Sequence, residues 1–241
     1  EIMILDAATS EVTFVEIPEG KGQGRNKWQG MCALGGKLYF CPSYSGEIMI
    51  LDAATGEVTF VEIPEGKGRG ETQTEKWTGV CALGNKLYFC PRNSKEIMIH
   101  DAATGAVTFV EIPEGKGQAF NDWHGVCTLG TKVYFCPYRN SDIMILDAAT
   151  GEVTFVENPD GKGQGNAIDA NYTDVCALGQ KLYFCPCDSA EIMILDAVTR
   201  EVTLVEIPDG KGQGHTKWLG VCALGDKVYF CPSHSTEIMI L

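Results

Sequence analysis

The chain has 241 residues, of which 44% are hydrophobic and 21% charged, with a formal net charge of −13. That length can bury a sizeable core and the composition is that of a soluble globular protein. The acidic balance argues against nucleic acid as the main partner, because a duplex binder needs a basic stripe to displace counterions, and no apolar run approaches the roughly 20 residues of a membrane helix, so no membrane insertion is expected.

The opening residues, EIMILDAATS, lack the basic start and small-residue cleavage site of a signal peptide. They do, however, recur. EIMILDAAT or a close variant starts at Glu1, Glu47, Glu96, Asp142 and Glu191, and EIMIL returns at Glu237, so the units are 46, 49, 46, 49 and 46 residues long. They span 1–46, 47–95, 96–141, 142–190 and 191–236, with a closing strand at 237–241, in one domain covering 1–241. In chain order each unit carries four short β-rich runs, which in the first full pass are WQGMCAL, KLYFCP, EIMILD and EVTFVEI. No stretch has helical periodicity. LGGK and its variants place two residues, led by Gly, between two strands, which predicts a type II′ hairpin. LDAATGEV offers an Asp for local backbone N–H groups and a Gly for the left-handed position. IPEGKGQG has Pro where a ladder must stop and Gly where the chain must swing. Each unit therefore reads as a four-stranded antiparallel meander, which cannot bury both faces alone.

Repeats of this length with four strands point to a β-propeller. At GMCALGGKLYFCPSYSGEIMILDAATGEV (30–58) the chain resembles the propeller repeats of the NHL and kelch-like families. The resemblance implies that W-x-G-V-C-A-L is the innermost strand and E-V-T-F-V-E-I the outermost. Five inner strands imply an all-β, five-bladed ring, with a fragment of a six-bladed one as the alternative. The first EVTFVEI would complete a blade with the last WLGVCAL, KVYFCP and EIMIL, which leaves one EIMIL surplus.

Variation between repeats collects in two connections that a meander places on one side of the ring. One is the entry loop before the inner strand, and the other follows each CP. Loops on a rigid scaffold are where binding residues usually sit. The expected variable face comprises Tyr44, Arg92, Asn93, His124, Tyr138, Arg139, Asp188, His215 and His234. Trp28, Trp77, Trp123, Tyr172 and Trp218 stand at the entrance to the inner strands. They are read first as wedges between blades and alternatively as a stacking platform for a sugar or cation.

Other signals are weaker. GKGQG or a close variant recurs in every unit and opens no helix, so it marks a turn rather than a phosphate site. His100 replaces a Leu inside a third strand and reads as a tolerated substitution. CPCD at Cys185–Asp188, with Asp174 replacing a repeated Gly, falls short of four metal ligands. Ten of the eleven cysteines are two positions repeated, which reads as free, buried thiols in a reducing intracellular compartment. No nucleophile, base and orienting group assemble, so no enzyme, metal or cofactor is expected. The leading expectation is a non-enzymatic scaffold that presents one face to a partner protein. A carbohydrate-binding lectin-like propeller and a purely structural array are the alternatives.

Overall fold

The computed structural model describes residues 1–67, 75–117, 121–158, 170–212 and 214–241. The entry-loop residues at 68–74 and 159–169, whose extra length makes the second and fourth units longer, lie outside the described residues. Every described element is a strand. A hairpin of β1 (Ile2–Leu5) and β2 (Val12–Val15) comes first. Sheet I then holds β3 (Trp28–Leu34), β4 (Lys37–Pro42), β5 (Glu47–Asp52) and β6 (Val58–Glu62). Sheet II holds β7 (Trp77–Leu83), β8 (Lys86–Pro91), β9 (Glu96–Asp101) and β10 (Val107–Glu111). Sheet III holds β11 (Trp123–Leu129), β12 (Lys132–Pro137), β13 (Asp142–Asp147) and β14 (Val153–Glu157). Sheet IV holds β15 (Tyr172–Leu178), β16 (Lys181–Pro186), β17 (Glu191–Asp196) and β18 (Val202–Glu206). Sheet V has only β19 (Trp218–Leu224), β20 (Lys227–Pro232) and β21 (Met239–Ile240). All pairings are antiparallel between consecutive strands, as a meander requires.

The turns follow the side chains that the sequence supplies. Gly84 leads its hairpin at φ +59° while Asn85 does not share the positive φ, the sign pattern of type II′. The first hairpin differs, since Gly35 and Gly36 are both positive, as in type I′. In LDAAT, Asp52 Oδ1 accepts the backbone N–H groups of Ala54 (3.0 Å) and Thr55 (3.1 Å), and the same bonds recur at Asp6, Asp101, Asp147 and Asp196. Those bonds favour the charged carboxylate and hold Asp52 below its ordinary range.

The core lies between sheets. Tyr39, Cys41, Ile48 and Ile50 of sheet I pack against Trp77, Val80, Leu87, Phe89 and Met98 of sheet II, and equivalent clusters fill the next three seams. Each sheet thus buries its apolar faces only because it has neighbours. All eleven cysteines are free; Cys41, Cys81, Cys90, Cys136, Cys185 and Cys187 are buried in or beside these seams, and Cys222 and Cys231 of the last sheet are exposed.

One expectation needs correction. The five inner strands exist, but the sheets do not close into a ring. Among the described residues β1 and β2 pair only with each other, and sheet V ends on β21. The repeated strands alone do not dictate closure, because it depends on the rotation between neighbouring sheets.

His100 sits in the I–II seam, opposite Leu87 in the ladder and 5.7 Å from the Tyr39 ring, and its Nδ1 has no partner. Burial pushes its pKa down. Protonation therefore favours the unfolded chain, so stability is fully present above about pH 6.5 and falls as pH drops below it. His100→Leu, which restores the residue of the other units, should add about 1–2 kcal/mol at pH 7 by removing an unsatisfied polar atom. It should also flatten the decline between pH 6.5 and 5, which urea midpoints at both values would measure.

Candidate binding face and axial mouth

Hydrogen bonds between sheets place the two variable connections together. The backbone N–H groups of Lys76, Asp122, Asn171 and Lys217, each just before an inner strand, donate to the carbonyls of Ser43, Arg92, Tyr138 and Cys187, each just after a CP. Entry loops and post-CP loops therefore share one side of the arc.

Not every residue expected there is presented to solvent. Asn93 and Asp188 occupy the same repeat position and do the same work. The Asn93 amide donates to Glu75 O (2.6 Å) in its own sheet, and its Oδ1 accepts from the N–H of Asn121 (2.8 Å) in the next. Asp188 Oδ2 accepts from Ala170 N–H (2.9 Å), and Oδ1 accepts from Thr216 N–H (2.6 Å). Both residues lace their own entry loop to the following one. They are part of the frame of the face.

Arg92, Tyr138 and His124 form a stack across the II–III seam. Arg92 pairs with Glu75 at 2.6 Å, donates from Nε to Asn121 Oδ1 at 2.7 Å, and lies 5.3 Å from the Tyr138 ring centre. The Tyr138 ring stacks on His124 at 5.3 Å. His124 Nδ1 lies 2.9 Å from Thr173 O, an acceptor, so Nδ1 carries the proton and donates. Burial, aided by the Arg92 cation, pushes its pKa down to about 4, so the ring is neutral. These three are half-buried and packed against one another.

The residues left presenting side chains are Tyr44, Arg139, His215 and His234, all exposed. Tyr44, Arg139 and His234 occupy the position that Asn93 and Asp188 hold in the even units. His215 lies 3.7 Å from the Asp188 carboxylate, and His234 Nδ1 donates to the His215 carbonyl at 3.3 Å.

The aromatic positions point away from solvent. Trp77, Trp123, Tyr172 and Trp218 are buried in the seams, and Trp28, at the open end, is half-buried. Trp28, Trp77 and Trp123 donate their indole N–H to the first carbonyl of the third strand, at Glu47, Glu96 and Asp142, and Trp218 donates to the Glu237 carbonyl just before β21. Tyr172 instead meets Ser189 Oγ at 3.2 Å. Buried rings offer no stacking platform, so the lectin-like alternative loses the residues it rested on.

Inside the rim the inner strands converge on a mouth of about 280 Å³ lined by Gln29, Gly30, Met31, Gly79, Val80, His124, Gly125, Val126, Thr173, Asp174 and Leu219. Each inner strand bulges after its aromatic residue, which favours Gly there. Sheet IV has Asp174 instead. Its Oδ1 accepts from Val175 N–H (2.9 Å) and its Oδ2 from Val221 N–H (3.3 Å), which ties two bulges together. Desolvation raises its pKa to about 6, and among the described residues that line the mouth it is the one carboxylate. The sequence showed the substitution but not this role, and the contributions of Glu75, Asn121 and Leu219 to the face had no sequence signal beyond their loops. Among the described residues no group of three or more His, Cys, Asp or Glu side chains is arranged to hold a metal ion. No described helix is long and apolar enough to cross a membrane.

No protein-family model matches the chain, and no curated protein matches it in sequence. Solved structures do match in shape. The WD40 repeats of RRP9 superpose with a TM-score of 0.73 at 12% identity, covering 99% of this chain and 68% of that one. The extracellular domain of a putative one-component system from B. thetaiotaomicron gives 0.64 at 11% identity, covering 94% of this chain and 28% of that one. A chain of a nidogen/laminin complex gives 0.62 at 11% identity, covering 99% and 84%. With the repeated four-stranded antiparallel sheets, these likenesses establish a tandem-repeat, propeller-type all-β fold.

Proposed function

We propose that the protein is a non-enzymatic binding scaffold that engages a partner protein through the face carrying the entry and post-CP loops. One observation carries this reading. In a chain whose sheets repeat nearly residue for residue, the large exposed departures Tyr44, Arg139 and His234 fall at one equivalent position in alternate units, on one face and outside the packed frame. Aromatic rings and Arg are the side chains enriched where proteins meet. Leu219, exposed at the mouth, adds an apolar centre to a polar rim. The chain's likeness to a nidogen/laminin complex and to WD40 repeats is consistent with a protein-binding use of this architecture.

The experiment is photo-crosslinking from positions 44 and 139 against positions 86 and 181 in the hairpins of the opposite face. A partner should crosslink from the first pair, and Tyr44→Ala with Arg139→Glu should weaken its affinity at least tenfold, a change of about 1.4 kcal/mol. Because both side chains are exposed, the pair should cost no more than about 0.5 kcal/mol of stability per site. Crosslinks confined to positions 86 and 181, or binding untouched by the double variant, would refute the reading.

A further inference from the structure

A groove of about 320 Å³ opens at the III–IV seam on the side of the hairpin turns, away from the entry and post-CP loops. Leu129, Lys132 and Tyr134 line it from sheet III, and Gln180, Ala197 and Val198 line it from sheet IV. That volume lies at the lower end of the range that holds small-molecule ligands.

Two donors of sheet III are left without a partner there. Tyr134 is 2% exposed, yet among the described residues nothing hydrogen-bonds its hydroxyl. Buried tyrosine hydroxyls ordinarily find a partner. This one is not sealed in as His100 Nδ1 is, so it is the tip of the side chain that meets the groove. Lys132 lies two residues earlier on β12, so both side chains project from one face. Asp147 faces Lys132 in the ladder, as Asp52 faces Lys37 at 3.9 Å, but Lys132 forms no ion pair among the described residues. It is half-buried, whereas Lys37, Lys86, Lys181 and Lys227 at the same repeat position are exposed.

The sheet IV side departs from the repeat. Val198 stands where the other units have Ala54, Ala103 and Ala149, and Arg200 where they have Gly56, Gly105 and Gly151. Both changes fall in one turn. Arg200 holds a left-handed φ of 63°, which favours glycine, and its Nη2 donates across the seam to Phe155 O of β14 at 3.1 Å. Burial pushes the Tyr134 pKa up, with the Arg200 cation acting against it, so the hydroxyl keeps its proton and can donate. No carboxylate lines the groove, in a chain with 32 Asp and Glu against 19 Lys and Arg.

We propose that this groove binds a small apolar carboxylate, whose oxygens accept from Lys132 and the Tyr134 hydroxyl and whose apolar body lies on Leu129, Ala197 and Val198. Charge decides the class. Apolar walls alone would take any apolar molecule, whereas an unpaired cation and an unpaired donor on one strand face select an anion. The site lies on the opposite side of the sheets from the partner-protein face, so either reading stands without the other.

Phenylacetate titrated into the 241-residue chain, followed through the methyl resonances of Leu129 and Val198, tests this. Saturable shifts of both are expected. Binding should be about tenfold weaker for phenylacetamide, which has the ring without the charge, and for acetate, which has the charge without the ring. Lys132→Met keeps the apolar stem and should weaken phenylacetate about tenfold while leaving phenylacetamide unchanged. Tyr134→Phe should weaken phenylacetate about fivefold with no loss of stability, because no protein group loses a bond. Val198→Ala, which restores the repeat residue in an exposed turn, should weaken it about threefold and keeps the test decisive if a strand variant does not fold. Equal binding of phenylacetate and phenylacetamide, or no saturable shift at millimolar concentrations, would overturn the proposal. So would a clear loss of stability in Tyr134→Phe, since the hydroxyl would then serve the fold.

Discussion

Trp77→Ala should cost about 3–5 kcal/mol of stability, the range for removing a large buried aromatic from a packed core. The indole is fully buried between Tyr39, Cys41, Ile48 and Ile50 on one side and Val80, Leu87, Phe89 and Met98 on the other. Truncation leaves a void flanked by two sheets held in place by their own ladders, so the seam cannot collapse to fill it. The lost hydrogen bond adds less. The Glu96 carbonyl that accepts the indole N–H at 3.2 Å also accepts from Ser94 Oγ at 3.0 Å, so it is not orphaned. Trp28→Ala is the control. That ring makes the same bond to Glu47 O and the same tilted contact with a fourth-strand Phe, but it stands half-exposed at the open end. Its loss should be clearly smaller. Guanidinium denaturation of both variants measures the difference. A cost below about 1 kcal/mol for Trp77→Ala would mean that the ring is presented rather than packed.

The sequence made the blades legible because each strand is written five times. A residue that recurs in every unit, such as the Trp that opens an inner strand, is doing what every unit needs, and the structure shows that need to be a seam. Departures from the repeat were harder to interpret. Asn93 and Asp188 read as variable-face residues, yet they lace entry loops together. A clue existed, since an Asn or Asp follows the CP segment by two residues only in the 49-residue units, whose entry loops are longer. The packing of Arg92, Tyr138 and His124 left no such trace, because it joins one post-CP loop to the post-CP loop and inner strand of the following sheet. Closure was equally invisible. It is set by small rotations at four similar seams, and identical sequence says that the seams match without saying by how much each one turns.

Gly125→Ala should be the most disruptive single-methyl change on the axial side. A Cβ there would lie 2.6 Å from Asp174 Cα, 2.7 Å from Asp174 Oδ1 and 3.0 Å from Thr173 O. Gly125 lacks the positive φ of Gly30 and Gly79, so alanine is not strained at its own backbone. The whole penalty falls on the approach of β11 to β15. A flexible side chain could move aside, but the Cα and carbonyl of β15 can yield only if the strand shifts. Such overpacking typically costs about 1–3 kcal/mol, and occasionally more where backbone must yield. Displacing β15 also strains the bond from His124 to Thr173 O and the bond from Asn171 N–H to Tyr138 O at 2.8 Å. The Arg92–Tyr138–His124 stack then opens to water. Since burial is the main cause that holds His124 near 4, its pKa should rise toward the ordinary value of about 6.5 in the variant. Adding Asp174→Gly removes the carboxylate contact but leaves the Cα in place, so the double variant should recover only part of the loss. Urea denaturation with a proton-resonance titration of His124 measures both effects. A loss under about 0.5 kcal/mol, with His124 still titrating near 4, would show that the inner strands do not meet as closely at this seam as these distances require.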